Sequence, residues 1–329
     1  MDFSKESYDA TYTKVAEGVY VISSTHRPHH KDSMPELNNR AFLFEVETKD
    51  DGKHLLMSGM PGSKVIDNVK QLEKDVSLSV KVIVTSGDFH HMSMKGWLDA
   101  FPDTTFVHSD LKFPTTRNGK EILSNEAYKK RIVLEKGFEI PSLEKYSDTV
   151  RFFGFNQFFV YADAPFMTAS ESAQKNKGQN ILSYMSKIGP CDQPFLAIWA
   201  YHVPTKQLLI EHNFNPYLDK KQVAKASSVL RMMMKTNDFS SCAKEKMPNG
   251  PKSKEGCKIH CEQMAQILGL DVRAINDYHT YPGVQIRTYA SKDDFVKNFS
   301  DVLKKTGEDD PTGEKMFEKQ NASSMCTIL

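Results

Sequence analysis

The sequence predicts an α/β fold in which helices pack on sheets, and three observations lead there. Strand-type runs, apolar and β-branched, occupy Tyr12 to Met57. A run with helical apolar spacing follows, carried by Val65, Ile66, Val69 and Leu72. Next comes the short apolar run Val80 to Val84, which reads as a buried strand. Antiparallel strands, then a helix, then a buried strand is the order of a sheet covered by helices.

The elements follow in turn. Strands are expected at Val19 to Ile22, Ala41 to Val46 and His54 to Met57, the last two joined by the turn Lys49-Asp50-Asp51-Gly52. Pro61-Gly62-Ser63 caps the first helix. Thr85 to Met94 is the loop at a strand end, where an α/β scaffold commonly holds its chemistry because rigid strands fix the side chains. Met94 to Phe101 reads as a helix stopped by Pro102, and Thr105 to Val107 as a strand. A helical stretch is expected from Asn125 to Lys136, then two strands, Val150 to Phe153 and Gln157 to Ala162, turned at Gly154-Phe155-Asn156. Phe195 to Val203 and Gln207 to Glu211 form a hairpin turned at Pro204-Thr205-Lys206. Helices are expected over Lys220 to Thr236, Cys257 to Leu268 and Lys292 to Lys304. The polar segment 164–194 reads as an insertion and 307–329 as a polar tail, so one domain is expected over 1–306.

Composition excludes several classes. The 329 residues suffice for a large core, and 43 Lys plus Arg against 42 Asp plus Glu create no net field to gather nucleic acid. The polar N-terminus has no apolar signal region, and no stretch approaches the roughly 20 apolar residues of a membrane span, so a cytoplasmic protein is expected. Five cysteines, an odd number, read as free thiols rather than a disulfide framework.

The chemistry-bearing residues sit in loops at predicted strand ends. Asp88, His90 and His91 are all competent metal ligands and lie in the loop after the buried strand. His212 follows the second strand of the late hairpin, and His279 precedes Thr280-Tyr281-Pro282-Gly283. His54 and His202 lie within strands and read as structural histidines.

The opening phrase Glu17-Gly18-Val19-Tyr20-Val21-Ile22, the apolar strand ending at Thr85 and the string Ser86-Gly87-Asp88-Phe89-His90-His91 resemble the metallo-β-lactamase superfamily. Element order extends that resemblance over roughly Tyr12 to Lys305. It implies a four-layer αββα sandwich with metals at one edge of its paired sheets. The family's ligand string is His-x-His-x-Asp-His; here Ser86 stands first, Asp88 third, and only the last His, His91, is kept. His212 takes a place usually held by Asp, His279 fits the last family His, and the middle His has no counterpart. The resemblance implies a divalent metal, zinc first and iron second, held by His90, His91, His212 and His279, with Asp88 available as general base. Such an ion brings the pKa of bound water to about 7 and polarises an ester or lactone carbonyl. The altered ligand string leaves open a single-metal site, a different metal or a metal-free relative.

Three functions follow from these alternatives: a metal-dependent hydrolase of a small-molecule substrate, a non-catalytic binding or membrane-associated scaffold, and a metal-dependent oxidoreductase. Cys326-Thr327-Ile328-Leu329 has the form of a prenylation box with Leu last. Prenylation at Cys326 would give reversible membrane association, because a single chain anchors weakly.

Overall fold

Side chains that alternate along a strand must find two different environments, and the first sheet supplies both. The computed structural model describes residues 12–26, 37–85, 87, 93–113, 117–156, 196–210, 262–263, 265–277 and 285–297. Seven strands pair in chain order: β1 (Thr13–Ala16), β2 (Val19–His26), β3 (Leu37–Thr48), β4 (Gly52–Ser58), β5 (Val80–Val84), β6 (Thr105–Ser109) and β7 (Ile132–Glu135). The first four are antiparallel, as short connections allow. From β4 onward the pairs are parallel, because α1 (Ile66–Val76), α2 (Met94–Ala100), α3 (Arg117–Ser124) and α4 (Glu126–Lys129) provide the crossovers.

The two faces of this sheet bury separate cores. Tyr20, Ile22, Ala41, Leu43, Leu55 and Met57 pack under the helices with Val69 and Leu72 of α1 and Trp97 and Leu98 of α2. Their sequence neighbours Val19, Val21, Phe42, Phe44 and Leu56 point the other way. There they meet Leu196, Ile198, Ala200 and Leu209 of a second, five-stranded sheet. That sheet has the order β12 (Gln285–Thr288), β11 (Ala274–Asp277), β10 (Gln207–Ile210), β9 (Leu196–His202) and β8 (Val150–Asn156). Helices, sheet and second sheet thus form three layers of the expected α/β sandwich.

The chain divides into two compact units: Met1–Gly154 with Leu196–Asn213 and Ala274–Arg287, and Phe155–Phe195 with Phe214–Arg273 and Thr288–Leu329. The first holds both apolar cores. Within the second, helical residues are described at 262–263, 265–269 and 292–297, which overlap two of the predicted helices, the first running one residue past Leu268. Tyr289 packs edge-on against Phe295 at 5.3 Å, and Lys292 Nζ donates to the Gly269 carbonyl at 2.7 Å. The expected insertion 164–194, the helix expected from Lys220 to Thr236 and the tail 307–329 lie outside the described residues.

Two expectations are corrected. The helix anticipated from Asn125 to Lys136 is only the single turn α4, after which the chain becomes β7. Pairing decides this: Ile132, Val133 and Leu134 align with Phe106, Val107 and His108, and β-branched residues suit such a ladder better than a helix. The second concerns Gly154, which lies inside β8 and turns nothing. A Cβ there would stand 2.6 Å from the Phe138 carbonyl oxygen, so glycine serves close approach. The strand expected over Gln157 to Ala162 lies outside the described residues. By contrast, the late hairpin forms as expected, with Gln207 opposite His202 and Leu209 opposite Ala200.

His202 is buried between the sheets, its ring stacked on Phe44 at 5.9 Å and its Nδ1 2.7 Å from Thr205 Oγ1. Burial pushes its pKa down to about 4. A histidine whose folded pKa lies below its unfolded value near 6.5 stabilises the fold fully above that value, and loses this contribution as pH falls toward the folded pKa. Urea unfolding of the wild type should therefore weaken between pH 7 and pH 4.5 more than that of His202→Gln, by on the order of 2 to 3 kcal/mol. Parallel pH profiles would contradict the assignment.

Candidate functional site

The carboxyl ends of β4, β5 and β6 form one edge of the first sheet. Ser58 stands beside Val84 in parallel register, the Gly59 amide donates to the Val84 carbonyl at 2.8 Å, and the Thr85 amide donates to the Val107 carbonyl at 3.1 Å. These bonds carry the chain past the end of β5 to the position where the predicted ligand string begins. On its far side the string joins α2, which is fixed in turn. Trp97 Nε1 donates to the Pro61 carbonyl at 2.8 Å, Ser93 Oγ donates to the same oxygen at 3.1 Å, and Trp97 stacks on Phe101 at 5.6 Å.

Between these anchors, Gly87 forms an isolated antiparallel bridge with Ala197 of β9. The loop that leaves the first sheet is thereby tied to the second. The register of that second sheet brings two more chain exits to the same edge. Leu209 pairs with Ala200 in antiparallel sense, so β10 runs toward the start of β9 and ends there at Ile210. In parallel with it, β11 ends level, Ile210 pairing with Asp277. Glu211-His212 and Tyr278-His279 are the residues that follow these two paired ends in sequence.

Asp88, His90, His91, His212 and His279 themselves lie outside the described residues, as do Ser86 and Cys326. The structure describes their strand-end neighbours Thr85, Gly87, Ile210 and Asp277. Among the described residues no three His, Cys, Asp or Glu side chains gather as a metal site, and no helix is long and apolar enough to cross a membrane. The buried histidines are engaged in the core, as expected for His54 and His202. His54 Nδ1 is 2.9 Å from the Gly52 carbonyl oxygen, its Nε2 is 3.3 Å from Tyr146 Oη, and the His108 ring packs edge-on against Phe113.

Sequence reasoning did not single out two residues at this edge, Ser58 and Thr85. Both are fully buried, and their hydroxyl oxygens find no hydrogen-bond partner among the described residues. An unmade buried hydroxyl costs about 1–3 kcal/mol, so such groups are expected to have a reason to persist. Their only sequence signal is a polar residue closing an apolar strand, at Leu-Leu-Met-Ser and Val-Ile-Val-Thr.

No protein-family profile and no curated protein matches the chain. Solved metallo-β-lactamase structures do align with it over most of its length. TMB-1 aligns at TM-score 0.44 and 9% identity, over 89% of this chain and 96% of its own. The NDM_FIM-1 like enzyme of Erythrobacter litoralis in its mono-zinc form aligns at TM-score 0.43 and 10% identity, over 93% and 99%. FIM-1 of Pseudomonas aeruginosa, also in a mono-zinc form, aligns at TM-score 0.40 and 9% identity, over 94% and 95%.

Because neither hydroxyl finds a partner among the described residues, Ser58→Ala and Thr85→Val should leave unfolding free energy unchanged or raise it, by up to about 3 kcal/mol for the isosteric Thr85→Val. Chemical denaturation reads this directly. A loss of about 2 kcal/mol or more in Thr85→Val would show that its hydroxyl is bonded in the folded protein.

Proposed function

We propose that the chain is a metal-dependent hydrolase of a small-molecule ester, lactone or related bond, with one divalent ion held by His90, His91, His212 and His279. The observation that supports this reading is the common edge of three strand exits: the loop after β5 bridged to Ala197, and the ends of β10 and β11 paired at Ile210 and Asp277. Adjacent strands such as β10 and β11 lie about 4.8 Å apart and packed sheets about 10 Å apart, spans that side chains just beyond the strand ends can bridge to an ion held at about 2.0–2.2 Å.

The donor set fits such an ion. Neutral imidazoles and carboxylates suit zinc, and the same set accommodates iron. Two buried hydroxyls at the edge, Ser58 and Thr85, without a partner among the described residues, add polar atoms where an otherwise apolar strand end would have none. Ser86 at the first ligand position is a poor donor, which favours one ion over the pair found with a full His-x-His-x-Asp-His string.

A bound divalent ion supplies Lewis acidity to a substrate carbonyl and a lowered pKa to water. The protein's own groups do the remainder. The imidazoles of His90, His91, His212 and His279 fix the ion. The Asp88 carboxylate accepts a proton from the attacking water and returns it to the leaving group.

Metal analysis of untagged protein should find about one equivalent of zinc or iron in the wild type, and at least tenfold weaker binding in His91→Ala. Protein that binds neither metal would refute the proposal and leave a metal-free binding scaffold as the reading.

A further inference from the structure

Gly87 alone among the described glycines combines three features. Its φ of 139° lies in a region closed to L side chains, it pairs with Ala197 across the two sheets, and it sits hard against the neighbouring backbone. A Cβ at Gly87 would fall 2.2 Å from the Leu196 carbonyl oxygen and 3.1 Å from Ala197 Cα. Real atoms never approach so closely, and a backbone oxygen within a strand cannot swing aside. Leu196 is confined on its other side as well: a Cβ on Gly154 of β8 would lie 3.0 Å from Leu196 Cδ1 and 2.6 Å from the Phe138 carbonyl oxygen. The start of β9 is therefore wedged between two glycines, one in the neighbouring strand of its own sheet and one in the loop of the other.

We infer that Gly87 is a positioning residue: its missing side chain lets the loop after β5 seat on Leu196–Ala197, which sets where Asp88 and the histidines after it begin. This rests on the metal-site reading above. The seat links the end of β5, which Asp88, His90 and His91 follow in sequence, to β9, whose partner β10 precedes His212 in sequence. A displaced seat would move the ligand segments of the two sheets apart. A shift of about 1 Å is enough to spoil a coordination shell whose tolerance is about 0.2 Å.

Gly137 provides the control. It also has positive φ, at 66°, but a Cβ there would meet nothing within 4 Å. Gly87→Ala and Gly137→Ala would be compared with the wild type by zinc titration and by amide hydrogen exchange followed at residues 84–87 and 196–198. Gly87→Ala should bind zinc at least tenfold more weakly and lose protection in both segments, whereas Gly137→Ala should keep wild-type affinity and wild-type protection there. Wild-type zinc affinity together with unchanged protection in Gly87→Ala would overturn the inference. Should the wild type bind no zinc, the metal reading fails, and the exchange comparison alone decides the role of Gly87. Should Gly87→Ala not fold, the wild type supplies the test: zinc should slow exchange at 196–198, across the bridge, and unchanged exchange there would overturn the inference.

Discussion

Everything at the candidate edge depends on the apolar layer between the two sheets. Phe42, Phe44, Val19, Val21 and Leu56 of the first sheet are fully or nearly fully buried against Ile198, Ala200 and Leu209 of the second. Burial at about 25 cal/mol per Å² makes such side chains worth roughly 1.5–3 kcal/mol each, far more than any single polar contact at the surface. Because the residues alternate, a one-residue slip of β2 or β3 would turn that layer toward the helices and the helix-facing set toward the second sheet, so the two differently shaped cores fix register at the same time as position.

Fixed register turns a general sandwich into one with a defined edge. The polar ties observed elsewhere are local by comparison. Glu45, for example, accepts from Tyr20 Oη at 2.7 Å and pairs with Lys53 at 2.6 Å, and these bonds outweigh burial to hold its carboxyl below the usual range. They join β2, β3 and β4 without reaching the other sheet. The Gly87–Ala197 bridge is different, since it crosses from one sheet to the other where the paired ends of β10 and β11 also emerge. Apolar packing sets the distance between the sheets, and the bridge uses it.

Much of the architecture was legible because period and burial coincide. Val80 to Val84, the α1 stripe of Val69 and Leu72, and the late hairpin all carry a clear pattern, and each appears where it was read. The misreadings share a cause. β7 is a short strand whose identity comes from its partner β6, with Leu134 left exposed, so no local alternation announces it. Gly154 looks like a turn residue, and only the approach of Phe138 explains why a strand carries it. The bridge at Gly87 was likewise illegible, because it pairs residues far apart in sequence on different sheets. The ligand types could be named from sequence, whereas the common edge of their strand exits required the register of both sheets.

In the proposed function, His90 and His91 share one ion with His212 and His279, which lie far apart in sequence. Cobalt(II) titration tests it most directly, since visible absorption reports ligand type and geometry as the ion is bound. The account requires saturation at about one equivalent with the spectrum of a nitrogen- and oxygen-ligated ion, changed separately by His91→Ala, His212→Ala and His279→Ala. A spectrum unaffected by His212→Ala and His279→Ala would contradict it, because the metal would then be held by one loop alone.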